Sequence, residues 1–342
     1  MLTQRDGLLG WATGRLVIHD ANAPGVIRRL LSSGPMRRQA VFAAIASELA
    51  SERHDQIVGC EPGETAAKAK AEMLRDGRAR DVVACATGRD VPDGLLGALE
   101  RVGLSPLQRP SSYARLIEAF TAPEQGHIAD ALRYVGEIND TMLRIADMLP
   151  AWLVHPEVLK RLDSIADARG FTGAAATAQS VNSHLTEEVL RGALGQMREQ
   201  TSLSDVISRF IRRADRTLAV PVPADEDVTP LQTTRQMVLA SRQFRNCLAT
   251  DRKIIGALLG RTAYAVLRGS AVMEFVTLSD GTWLYDGAYG VKNTPVDDVV
   301  EEVAMAKCAA AGVAYLRPEP LSRGPFAQFS YSYSPRLFHF AA

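Results

Sequence analysis

Between residues 232 and 272 the chain carries Arg235, Arg242, Arg245, Arg252, Lys253, Arg261 and Arg268 against a single acid, Asp251. Cations in that excess suit a surface that neutralises phosphates, because each Lys or Arg brought to a nucleic-acid backbone releases condensed counterions. Arg209, Arg212, Arg213 and Arg216 stand upstream and extend the band. Downstream, Trp283 and Tyr285, with Tyr289, offer rings on which bases could stack. The competing reading is a solvated helix face with internal ion pairs to the acids of 297–302.

A second group of residues has chemistry of another kind: Cys247, Glu274 and Asn293, three polar side chains that a polar pocket would gather. Glu274 lies in the apolar run AVMEFVTL. On a strand it shares its face with Val272, Val276 and Leu278, while Ala271, Met273, Phe275 and Thr277 take the other. A carboxylate so placed needs a cation or a hydrogen-bond donor. Arg245, Arg252, Arg261 and Arg268 qualify, and Arg245 is the expected partner because the helix at 233–249 runs directly into the strands. Cys247 follows Asn246 among arginines, where a thiol has its pKa lowered and gains nucleophilicity. The only imidazole base of the last third is His339, which favours a buried structural cysteine. GALLGRT (256–262) fails as a phosphate loop: it has three residues between its glycines, Arg261 where lysine belongs, and precedes a strand. Six histidines without an H-x-x-x-H pair and four cysteines without C-x-x-C give no local metal spacing, so neither metal nor cofactor is expected.

The elements that must position these groups fall into two blocks. Residues 1–217 read as a mostly helical domain, with apolar residues at helical spacing in 35–54, 127–149, 155–170, 185–197 and 203–216. Thr186 is a cap for the fourth of these, Pro156 and Gly170 bracket the third, and DVVACAT (81–87) reads as a short strand. The segment 218–232, with three prolines and three acids, has linker composition. Residues 233–342 read as an α+β domain. A helix at 233–249 precedes three strands, at 262–269, 270–278 and 282–290, joined by turns at Arg268-Gly269 and Asp280-Gly281. A helix capped by Thr294 follows and stops at Gly312, and FAQFSYSYS (326–334) alternates like an edge strand. The fold class is thus α+β: a helical N-terminal domain, then a small antiparallel meander packed with helices.

The succession Asn246-Cys247, a hairpin holding Ala-Val-Met-Glu274-Phe, then Trp283-Leu284 and Gly290-Val-Lys-Asn293 resembles the C-terminal region of PcfJ-like proteins over about residues 235–315. Where that family tends to place a glutamine before the Gly-x-x-Asn, this chain has Asp286 or Gly287. The resemblance implies a setting on conjugative plasmids, phages and related mobile elements, and no particular reaction.

Equal numbers of acids and bases, 39 of each, argue against a protein coated by nucleic acid over its whole surface. No apolar run approaches the ~18 residues of a membrane span, and the first twenty residues lack a secretory pattern. With widely spaced cysteines, this fits a cytoplasmic protein and excludes a membrane partner. The expected function is an accessory or interaction protein that contacts nucleic acid, or a nucleoprotein partner, through the basic band. The alternatives are an enzyme with a pocket around Cys247, Glu274 and Asn293, and a structural adaptor. Oligomeric state is not encoded in any of these patterns.

Overall fold

The structure, a computed structural model, describes residues 6–58 and 64–315. The chain divides into two compact units, Met1–Ser180 with His184–Ile207, and Val181–Ser183 with Ser208–Ala342. The α+β class with a helical N-terminal part holds.

The first unit runs through α1 (Asp6–Leu9), α2 (Thr13–Asn22), α3 (Val26–Leu31), α4 (Pro35–Val58), α5 (Glu64–Asp76), α6 (Ala79–Thr87), α7 (Leu95–Val102) and α8 (Pro110–Thr121). It continues with α9 (Gly126–Leu132), α10 (Asp140–Met148), α11 (Pro156–Leu159), α12 (Ile165–Val181), α13 (Glu187–Gly195) and α14 (Leu203–Arg212), the last crossing into the second unit. Every residue from Ala40 to Ala46 is buried, so α4 is apolar all round over these two turns and forms the axis against which α6, α7 and α8 pack. Its buried Gln39 donates its amide to the carbonyls of Gly103 (2.8 Å) and Ser105 (2.7 Å) and accepts from the Tyr113 hydroxyl. That hydroxyl in turn accepts from the Leu107 backbone N–H, which pins the loop before α8 to the axis.

Three local expectations change. DVVACAT is the helix α6, because the Asp81 carboxylate accepts from the Arg78 N–H at its start and Gly88 closes it in the left-handed conformation (φ 62°). The pattern at 127–149 is two helices: Asn139 caps a new one through the Met142 N–H, and the Ile138 N–H is taken by the Arg101 carbonyl. The pattern at 155–170 also breaks after Leu159, and α12 passes straight through Gly170. Thr186 caps α13 as read, accepting from the Val189 N–H.

Glu48 of α4 gathers His19 (2.9 Å), Lys70 (3.0 Å) and Arg15 (3.5 Å) around a side chain only 11% exposed. Burial alone would raise its carboxyl pKa, but hydrogen bonds and charge from His19 and Lys70 win and bring it to about 2. A carboxyl depressed from 4.5 stabilises the fold above that value and loses its contribution as pH falls toward 2. We therefore expect the first unit of the wild type to lose up to about 3 kcal/mol between these limits, at 1.36 kcal/mol per pKa unit. Glu48→Gln should abolish that part of the acid dependence. Amide exchange of α2 and α4 against pH measures it, and an unchanged acid profile in the variant would refute the assignment.

In the second unit one sheet has the order β1 (Val228–Pro230), β2 (Thr262–Leu267), β3 (Ala271–Thr277), β4 (Trp283–Tyr289), β5 (Ala314–Tyr315). The first four strands are antiparallel, and β5 returns parallel to β4. The three strands of the meander lie where the alternation and the two turns place them. Between β1 and β2 come α15 (Thr234–Phe244) and α16 (Asp251–Leu258), and α17 (Asp298–Ala310) connects β4 to β5. One sheet face, with Ala263, Ala265, Leu267, Met273 and Phe275, packs with Ala304 and Cys308 of α17. The cap of α17 is Asp297, which accepts from the Val300 N–H; Thr294 instead closes the preceding turn.

The segment 218–232 is built into the sheet and is not a free linker. Val222 and Val228 are core residues, Leu218 donates to the Gln232 carbonyl, and Leu231 donates to the Tyr264 carbonyl. Pro230 pairs with Ala265 on an edge strand, a sheet position that tolerates proline. The composition that reads as a linker is the composition of a short edge, and the division falls between Ile207 and Ser208. The expected edge strand at 326–334 lies outside the described residues.

Candidate nucleic-acid interface

The basic band is carried mainly by α15, α16 and the turns that end them. A capping box starts α15: Thr233 accepts from the Gln236 N–H, and the Gln236 side chain accepts from the Thr233 N–H. Arg235 and Arg242, seven residues apart, share one stripe of the helix with Leu239, which is 53% exposed. Arg245 ends α15 in the left-handed conformation (φ 51°), and Arg252 lies in the first turn of α16. Arg261 follows α16 at the start of β2. These five arginines are exposed and have no ion-pair partner among the described residues.

Arg209, Arg213 and Arg216 are likewise exposed without an ion-pair partner among the described residues, whereas other cations of the unit are committed to carboxylates. Arg212 binds Asp251 (3.0 Å), which also takes the Ser208 hydroxyl; both partners come from the segment 208–212 of the second unit. Arg268 binds Asp227 (2.8 Å), and Lys307 bridges Asp225 (2.7 Å) and Asp227 (3.0 Å). Lys253 forms an ion pair with Glu274.

That last pair corrects the expected Arg245–Glu274 contact. In the register Tyr264 stands opposite Glu274 on the sheet face away from α17, and its hydroxyl donates to the carboxylate at 3.1 Å. Helix α16 lies over this face, close to β2 because its Gly256 has no Cβ: one there would stand 2.9 Å from the Thr262 Oγ1. The Lys253 ammonium therefore reaches Glu274 while sitting 5.6 Å from the centre of the Tyr264 ring. Arg245, turned outward at the left-handed end of α15, stays in solvent. Burial, together with the Glu274 charge, pushes the Tyr264 phenol far up, so it remains a donor. A carboxylate so engaged is a clasp between α16 and the sheet. The signal for Lys253 was present, since Thr250-Asp251 followed by Ile254, Ala257 and Leu258 is a short amphipathic helix start.

Trp283 and Tyr285 leave the candidate interface. Glu274 pairs with Gly287 and Phe275 with Tyr285, so Asp286 is an extra residue in β4. This bulge puts Tyr285 and Ala288 on the same face, where Tyr285 is buried 6.0 Å from the Phe275 ring and Trp283 packs against the α17 core. Burial and the nearby Glu301 hold the Tyr285 phenol protonated. The buried Tyr285 ring has no face for a base, and the half-buried Trp283 ring is turned to the α17 core.

The three candidate catalytic residues are dispersed in role. Cys247, expected to be a buried structural cysteine, is instead exposed at the start of a 3-10 turn whose N-cap is Asn246. Asn293 is exposed in the turn after β4. No hydrogen bond among the described residues joins Cys247, Glu274 and Asn293 to one another. Among the described residues no group of three or more His, Cys, Asp or Glu is arranged to hold a metal, and no helix is long and apolar enough to cross a membrane. No family model, curated protein or solved structure matches this chain.

Proposed function

We propose that the second unit grips a nucleic-acid backbone, as an accessory or interaction protein that engages nucleic acid or a nucleoprotein complex. One observation carries this reading. Among the described cations of the unit, Arg212, Lys253, Arg268 and Lys307 are spent on internal carboxylates, whereas Arg235, Arg242, Arg245, Arg252 and Arg261, like Arg209, Arg213, Arg216 and Lys292, are exposed and unspent. Arginines held out by rigid elements without an acid beside them cost no pairing to recruit to phosphate. The setting on a plasmid or phage element rests on the resemblance of residues 235–315 to PcfJ-like proteins, and so does its role beside DNA transfer.

With Tyr285 buried and Trp283 packed on the α17 core, the contact rests on the arginines and is electrostatic and insensitive to sequence. Anisotropy of a labelled duplex titrated with the full chain at several salt concentrations tests it. Five phosphate contacts give a slope of log affinity against log salt of about −4.5. A slope near zero, or no binding at about 50 mM salt, would remove the reading.

A further inference from the structure

Beyond the arginine band, a tight turn follows β4. The Gly290 N–H donates to the Thr294 carbonyl (2.8 Å), the Asn293 N–H to the Gly290 carbonyl (3.1 Å), and the Thr294 N–H to the Val291 carbonyl (3.2 Å). The Thr294 hydroxyl adds a bond to the Val291 carbonyl (2.9 Å). A Cβ at Gly290 would lie 2.9 Å from that hydroxyl oxygen, so the closure itself demands glycine there. Two consecutive residues that are not glycine, Lys292 (φ 58°) and Asn293 (φ 59°), are held left-handed at its tip.

Asparagine visits this region readily, since its short amide bonds locally, and its presence needs no further account. Lysine gains no such compensation. A glycine at 292 would satisfy the same four hydrogen bonds without a Cβ in the left-handed region. Strain kept where a cheaper residue would serve points to a task for the side chain. Lys292 is exposed and has no ion-pair partner among the described residues, and its turn lies against α15, the helix that carries Arg235 and Arg242.

We infer that Lys292 is a further phosphate-contacting residue, held by the left-handed turn so that its ammonium joins the α15 arginines on one nucleic-acid backbone. This rests on the proposed function above. It adds a cation from far along the chain, fixed by backbone hydrogen bonds. An ammonium presented this way loses less backbone freedom on binding than one on a mobile loop.

The test compares the full-length wild type with Lys292→Gly, Lys292→Gln and Lys292→Arg in duplex-binding titrations across salt, with melting curves alongside. The glycine and glutamine variants should each lose about five- to tenfold in affinity near 0.1 M salt, and their slopes should flatten by about 0.9. Lys292→Arg should bind like wild type. Lys292→Gly should melt no earlier than wild type, which separates loss of the contact from loss of the fold. Wild-type affinity and slope in both Lys292→Gly and Lys292→Gln would overturn the inference. The arginine reading would survive that result, provided that the wild type itself shows the steep salt dependence; a wild type that fails to bind overturns both.

Discussion

Replacing Glu274 by alanine should destabilise the second unit by about 2–4 kcal/mol, far more than any single change among the exposed arginines. The carboxylate is only 15% exposed and answers two groups at once, the Lys253 ammonium and the Tyr264 hydroxyl. Its loss leaves a cation 28% exposed without its anion and a buried phenol without its acceptor. An unmet donor costs more than a made bond contributes, so the phenol dominates the effect. Lys253→Met removes only the cation and leaves the Tyr264 bond, so about 1–2 kcal/mol is expected. Replacing both, as Lys253→Met with Glu274→Ala, should cost clearly less than the sum of the two single changes, because each single change already breaks the same ion pair. Arg245→Ala should stay within about 0.5 kcal/mol of wild type. Amide exchange of β2 and β3 in the full chain reads all four variants. Strictly additive losses, or an Arg245→Ala effect equal to that of Lys253→Met, would show that the clasp is misassigned.

The contrast between Lys253 and Arg245 explains where the sequence was readable. Alternation located β2, β3 and β4 and showed that Glu274 needed a partner, because strand periodicity is local and a charge among apolar residues is conspicuous. The partner's name depended on α16, an eight-residue helix hidden under glycines at 256 and 260. Gly256 reads as a loop residue, yet it is there so that the helix can approach Thr262, a fact of tertiary packing. Likewise Trp283 and Tyr285 alternate with Tyr289 on paper, and the bulge at Asp286 that divides them depends on the neighbouring strand. The linker reading of 218–232 failed for a related reason: prolines and acids suit an edge strand closed by Arg268 and Lys307 as well as they suit a free tether. Lys292 carried no signal of its own, since φ is invisible in a sequence unless glycine announces it.

Reversing charge at Arg242, Arg245 and Arg252 together should lower affinity for duplex nucleic acid by about 1,000-fold near 0.1 M salt, at about tenfold for each lost phosphate contact. The three side chains flank the corner between α15 and α16, so the substitutions also set carboxylates against the phosphates that the wild type recruits. The fold should tolerate them. All three are exposed and none has an ion-pair partner among the described residues. Glutamate at 242 meets the negative end of α15 and costs a few tenths of a kcal/mol, whereas glutamate at 252 meets the positive end of α16 and recovers a similar amount. At 245 the backbone is left-handed for either residue, so the change is neutral in strain. Arg268→Gln is the control, because that guanidinium already neutralises Asp227 and should contribute nothing to the salt slope. A triple variant that folds with wild-type amide exchange and still binds within about tenfold of wild type would move the interface off this corner. A control variant that loses as much as the triple one would mean that charge pairing inside the unit does not decide which arginines reach phosphate.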